Sequence, residues 1–159
     1  MKKLAIATII TASITSTAHA YDTSAIAVGL GAHQAFDESV IGGKLEWRGG
    51  DFDTIPNLSP IAGVEANADG ALYGYGGILY DWRVVEKIAI VPSFAAGLYH
   101  EGDGKDLGGT FNFRSTLEVD YLLTPNSRAG VSISHKSNAS IYDHNPGTEE
   151  ILAVYSFGY

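Results

Sequence analysis

The run His135-Lys136-Ser137-Asn138-Ala139-Ser140-Ile141, followed by Asn145-Pro146-Gly147-Thr148-Glu149, holds the residue types of an acyl-transfer hydrolase. On a β-strand, side chains two residues apart point the same way, so His135 and Ser137 share a face. Glu149 opens the next apolar run and returns beside them if the two runs form a hairpin. A serine hydroxyl is too weakly acidic to attack an ester unaided. An imidazole must take its proton, and a carboxylate must hold the imidazole in the right tautomer. This chemistry calls for no metal and no cofactor, and none is expected. The face these residues occupy is unusual: it is the apolar one.

The elements that must position them alternate with a period of two. From Thr110 to Tyr121 the odd positions read Phe111, Phe113, Ser115, Leu117, Val119 and Tyr121, while the even positions carry Asn112, Arg114, Glu118 and Asp120. Gly43, Leu45 and Trp47 alternate likewise with Lys44, Glu46 and Arg48. A soluble sandwich would bury the apolar side and wet the charged one. A membrane barrel turns the apolar side to lipid and encloses the charges.

Length, parity and aromatic placement favour the barrel. Strands are expected near Ala25–Ala32, Val40–Arg48, Ile61–Ala68, Leu72–Trp82, Ile88–Tyr99, Thr110–Leu122, Arg128–Ala139 and Glu150–Tyr159. That predicts an all-β fold, an eight-stranded antiparallel transmembrane β-barrel of the outer membrane, with strands of the roughly ten residues a tilted crossing needs. Leu72 to Trp82 is apolar on both faces, which leaves its register open. Trp47, Tyr80, Trp82, Tyr99, Phe111, Tyr121, Tyr155 and Phe157 gather near strand ends, as interfacial girdles do. Lys44, Glu46, Glu65, Arg114, Glu118 and Asp120 are expected inside as a charge network. His33 and His100 are expected to cap strands at the outer rim. Ala25, Ala27, Gly29 and Gly31 would leave room for bulkier interior side chains.

Compartment and partners follow from the rest of the chain. Lys2 and Lys3, the apolar run Leu4 to Ile14 and Ala18-His19-Ala20 form a secretory signal peptide, residues 1–20, rather than a membrane anchor. The mature barrel is then residues 21–159, with eight basic against eighteen acidic residues and a net charge of −10. That balance argues against nucleic acid. No cysteine is present, so export does not serve a disulfide framework. Asn138-Ala139-Ser140 is formally a glycosylation sequon and is discounted in a chain with bacterial export features. Asp143 and His144 are adjacent on a loop and read as solvated residues, not metal ligands.

Short connections at Arg83–Lys87 and Thr124–Ser127, against longer ones at Glu101–Gly109 and Ser140–Thr148, place the latter outside the cell. The seventh strand then rises outward, carrying Ala129, Val131, Ile133, His135 and Ser137 on its lipid-facing row. With about 3.3 Å per residue and a tilt near 40°, Ser137 stands roughly 20 Å above Ala129, close to the outer edge of an apolar band about 25 Å tall. Polar groups there are costly without a use. Their substrate would be a lipid ester of the outer leaflet.

Over His135 to Glu149 the chain resembles the PagL family of outer-membrane lipid A 3-O-deacylases, in its H-x-S-N-A-x-I core, its N-P-G and the following glutamate. Elsewhere the likeness is architectural. The resemblance implies hydrolysis of the ester holding the acyl chain at position 3 of lipid A, with lipopolysaccharide and other outer-membrane lipids as surroundings. It implies Ser137 as nucleophile, His135 as general base and Glu149 as the orienting carboxylate. Asn145 corresponds to the family's oxyanion-hole asparagine, and Asn138 to a supporting residue facing the barrel interior. Ser140 stands where the resemblance leads one to expect the glycine of the family's best-known member. The ending Ile151, Ala153, Tyr155, Phe157, Tyr159 resembles the terminal strand that outer-membrane assembly machinery reads. A homodimer is compatible with this reading. Two alternatives are a structural or adhesive barrel without chemistry, and an esterase acting on other lipids.

Overall fold

The computed structural model describes residues 24–159; the signal peptide expected at 1–20 lies outside the described residues. Among the described residues nine strand segments follow in chain order: β1 (Ala25–His33), β2 (Val40–Arg48), β3 (Leu58–Asn67), β4 (Leu72–Tyr80), β5 (Trp82–Val85), β6 (Ile88–His100), β7 (Phe111–Thr124), β8 (Ser127–Ser137) and β9 (Thr148–Gly158). Every pairing is antiparallel. β1 pairs with both β2 and β9, and β4 with both β3 and β6, so the sheet closes on itself. β4 and β5 are one stave interrupted at Asp81. Its register against β6 runs through the break, from Leu79 opposite Ser93 to Trp82 opposite Ile90. The barrel therefore has eight staves.

Parity sorts the side chains as the sequence pattern requires. Leu45, Val64, Leu117, Val131 and Ile151 face outward, while Lys44, Glu65, Glu118, Ser132 and Glu150 are buried within. Enclosed charges are costly unless paired, and here they pair. Arg48 Nε lies 2.9 Å from Glu46 Oε1, and Lys44 Nζ lies 3.3 Å from Glu118 Oε2. Arg114 Nε is 2.9 Å from Glu65 Oε1, and Arg128 meets Asp81. Gly29 has no side chain where Lys44 runs: a Cβ there would stand 2.9 Å from Lys44 Cγ.

The interior is not wholly polar. Ile61, Tyr73, Tyr75, Leu79 and Val91 form an apolar cluster on the β3–β4–β6 side. This settles the register left open in the sequence. Tyr73, Tyr75 and Leu79 point inward, and Leu72, Ile78 and Tyr80 point out. Both faces read as apolar because both are.

Further differences concern ends and rims. β3 begins at Leu58 rather than Ile61, because Pro60 still accepts a hydrogen bond from Gly49 N–H at 2.8 Å through its carbonyl. Connections 34–39, 68–71, 101–110 and 138–147 gather at one end of the barrel, hereafter the loop end. Loop 68–71 is short there, and 49–57 is long at the opposite end, so length alternates less regularly than the sequence suggested. His100 ends β6 and is exposed, as expected. His33 departs from its expected capping role: it is buried inside, with Nδ1 3.0 Å from Glu150 Oε1. Tyr99 leaves the expected girdle as well. Its hydroxyl donates to Lys105 O at 2.8 Å, and its ring sits 5.6 Å from Lys136 Nζ.

Candidate active site

The site is built on the β8–β9 hairpin. Ser127 to Ser137 alternates small or polar inward residues with Val131, Ile133 and His135 outward, and β9 begins again at Thr148. The register sets His135 directly opposite Glu149 and Lys136 opposite Thr148. On the outer surface His135 Nδ1 lies 3.0 Å from Glu149 Oε1. The imidazole side chain is 52% exposed and the carboxylate 33%. With Nδ1 engaged by the carboxylate, Nε2 is the nitrogen left to face a hydroxyl or a substrate. Ser137 continues the same outward row. Its hydroxyl makes no hydrogen bond among the described residues. Among the described residues His135 and Ser137 thus share an outward row with no hydrogen bond between them.

The loop after Ser137 is shaped by left-handed backbone. Ala139 and Ser140 have φ of 51° and 62°. Glycine reaches that region without penalty, so Ser140 holds a backbone conformation that favours glycine. Asn138 points inward and is fully buried. Its Nδ2 donates to Leu107 O and His144 O, each at 2.7 Å, and joins loop 101–110 to loop 138–147. Its backbone N–H donates to Asn145 Oδ1 at 3.0 Å. That bond takes up the Asn145 carbonyl oxygen and leaves the Nδ2 group, 3.4 Å from Ser140 Oγ, as a donor on the exposed side. Asp143 and His144 are exposed on this loop. Among the described residues no group of three or more His, Asp or Glu is arranged to hold a metal ion.

Gly147 is part of the site although the sequence assigns it no role. Its φ is +65°, and a Cβ there would come 2.7 Å from His135 Cε1 and 3.3 Å from Nε2. The imidazole thus lies against bare backbone. The sequence signal is Pro-Gly immediately before a strand, a mark of a positive-φ turn. What it cannot show is that the turn folds onto the histidine.

The arrangement can activate a hydroxyl at the lipid-facing surface of a barrel. A family model described as "Lipid A 3-O-deacylase (PagL)" matches residues 33–158, which include the whole of His135 to Glu149. The chain belongs to the PagL family. A curated relative, the lipid A deacylase PagL of Bordetella bronchiseptica, is 30% identical over 81 residues, 50% of this chain and 46% of that protein. The aligned stretch thus spans about half the length of that relative. Among solved structures, the outer membrane enzyme PagL superposes with a TM-score of 0.63 at 20% identity, covering 85% of this chain and 99% of that one. Neisserial surface protein A gives 0.59 at 12% identity, covering 88% and 97%. A de novo designed transmembrane β-barrel gives 0.58 at 13%, covering 87% and 97%. At these identities the superpositions show the barrel fold alone. Membership in the PagL family rests on the family model, and it agrees with placement in the outer membrane.

Proposed function

We propose that this PagL-family barrel hydrolyses the ester of the acyl chain at position 3 of lipid A, on its outward surface at the outer leaflet. The observation that carries the proposal is the His135–Glu149 contact of 3.0 Å, set in otherwise lipid-facing rows with Ser137 two residues along. His135 Nε2 takes the Ser137 proton as Oγ attacks the carbonyl carbon. Glu149 holds the ring and stabilises the imidazolium. The tetrahedral oxyanion lies toward Asn145 Nδ2, a donor of a kind worth on the order of 3 kcal/mol in comparable sites. The protonated His135 then gives its proton to the departing sugar hydroxyl. Water, activated by the same imidazole, releases the fatty acid from Ser137.

A structural or adhesive barrel shares the fold but leaves the polar interruptions at His135, Ser137 and Glu149 without a use. In the same proposal residues 1–20 are removed on export, and the row Ile151 to Tyr159 is the strand that assembly machinery engages.

The test is mass spectrometry of lipid A from a Gram-negative host expressing the chain. The expected product lacks one 3-hydroxyacyl chain, and Ser137→Ala and His135→Ala abolish it while the barrel still assembles. Glu149→Ala retains on the order of 10²-fold more activity than Ser137→Ala, because losing an orienting carboxylate costs less than losing the nucleophile. Full activity in Ser137→Ala would overturn the assignment.

A further inference from the structure

The outward row of β7 is apolar from Phe111 to Tyr121 except at Ser115, which is exposed. The Ser115 hydroxyl makes no hydrogen bond among the described residues. A hydroxyl facing hydrocarbon gives up its bonds to water without replacement, and alanine would serve the barrel better. Its position supplies a use. Ser115 lies directly opposite His135, whose other neighbour across the sheet is Glu149. It is diagonal to Ser137, which lies opposite Phe113. Phe94, opposite Ser115 on β6, stacks on Phe113 with ring centroids 5.7 Å apart and walls the position on one side. Leu117 and Ile133 continue the apolar surface away from the loop end.

We infer that Ser115 contacts the substrate and selects acyl chains that carry a hydroxyl on carbon 3. This rests on the ester-hydrolase reading above. Diagonal residues on neighbouring strands are about 7–8 Å apart. In the attacking complex the carbonyl carbon stands about 3 Å from the nucleophilic oxygen. A hydroxyl on carbon 3 reaches roughly 3 Å beyond that carbon, and a hydrogen bond adds about 2.8 Å. These three steps, bent at the intervening atoms, span the diagonal from Ser137 to Ser115. The chain beyond carbon 3 then passes Phe113 and Leu117 into the membrane. Ser115 takes no part in bond making. It donates to or accepts from the substrate hydroxyl and holds the carbonyl over Ser137.

The experiment uses the full mature barrel in detergent micelles with two synthetic 3-O-acyl glucosamine phosphates, one 3-hydroxytetradecanoyl and one tetradecanoyl. The readout is the ratio of kcat/KM for the two esters. The wild-type chain is expected to favour the hydroxylated ester about 5- to 10-fold, as loss of one hydrogen-bond partner predicts. Ser115→Ala brings the ratio close to one, and Ser115→Thr, which keeps the hydroxyl, restores it. Heat-modifiable gel migration checks that each variant is a folded barrel. A wild-type ratio of one, or a preference that survives in Ser115→Ala, overturns the inference while leaving the hydrolase intact. Failure of the wild-type chain to cleave either ester would instead sink the hydrolase reading, and the inference with it.

Discussion

Gly147 shows how much of this site is set by an atom that is not there. The His135 ring leaves no room for a Cβ at this position, and the positive φ adds a second reason for glycine. Gly147→Ala places a methyl group 2.7 Å from Cε1. The ring must then turn away from Glu149 or the loop must lift, and the left-handed backbone adds about 1 kcal/mol of strain. The expected outcome is a fall in kcat of about 10²-fold, the scale of a misplacement near 1 Å, with KM little changed and the barrel intact. Steady-state kinetics beside gel migration check it. At this scale the His135–Glu149 contact is legible in the sequence, since strand parity and one hairpin suffice to pair them, and the same parity puts Ser137 on their row. Gly147 and the Asn138 tether to Leu107 are not, because the first depends on how the turn folds back onto β8 and the second on how two loops meet.

The hairpin that carries the site is held from the inside. Lys136, between His135 and Ser137 in the chain, sends its ammonium inward to Glu65 Oε2 and Glu150 Oε1, each at 2.8 Å, and lies 4.4 Å from the centroid of the Tyr73 ring. Glu150, next to Glu149, also accepts from Ser134 Oγ at 3.0 Å and meets His33. Each outward candidate therefore has an inward neighbour in one buried network that reaches β1, β3 and β4. Lys136→Met leaves two buried carboxylates short of a partner and is expected to cost about 3–5 kcal/mol, read as a lower urea midpoint in detergent. Combined with Glu150→Gln it should cost less than the sum of the single changes, because the two share an ion pair. The fourth stave resisted sequence reading for a related reason. Alternation identifies a strand's faces only when inside and outside differ in polarity, and Tyr73, Tyr75 and Leu79 make its inward face as apolar as its outward one.

As a whole the molecule is a packed cylinder with its candidate catalytic residues on the outside. The buried Lys44, Arg48, Arg114 and Lys136 all meet carboxylates, and the pocket between Lys136, Glu65 and Tyr73 holds about 10 Å³, room for one water. Eight staves leave an interior that side chains fill. Planar-bilayer recordings of the purified chain are expected to show no stepwise ion conductance; open channels would contradict the packed interior. The closed eight-stave plan was legible because outward and inward rows differ in polarity along staves such as β2 and β7. The loop end was not, since its contacts join residues far apart in the chain.

Loop 101–110 carries none of the proposed catalytic residues, yet it touches the other three connections at its end. Lys105 pairs with Asp37, Asp103 N–H donates to Asp69 O at 2.8 Å, and Leu107 O receives the Asn138 amide. Surface loops of barrels usually diverge freely, each drifting without regard to its neighbours. Here a change in the loop farthest from the proposed chemistry in role reaches His144 and Asn145 through a single buried asparagine. The rim of this barrel can therefore vary only as a unit, and the segment with no catalytic duty is the one with the least freedom to change.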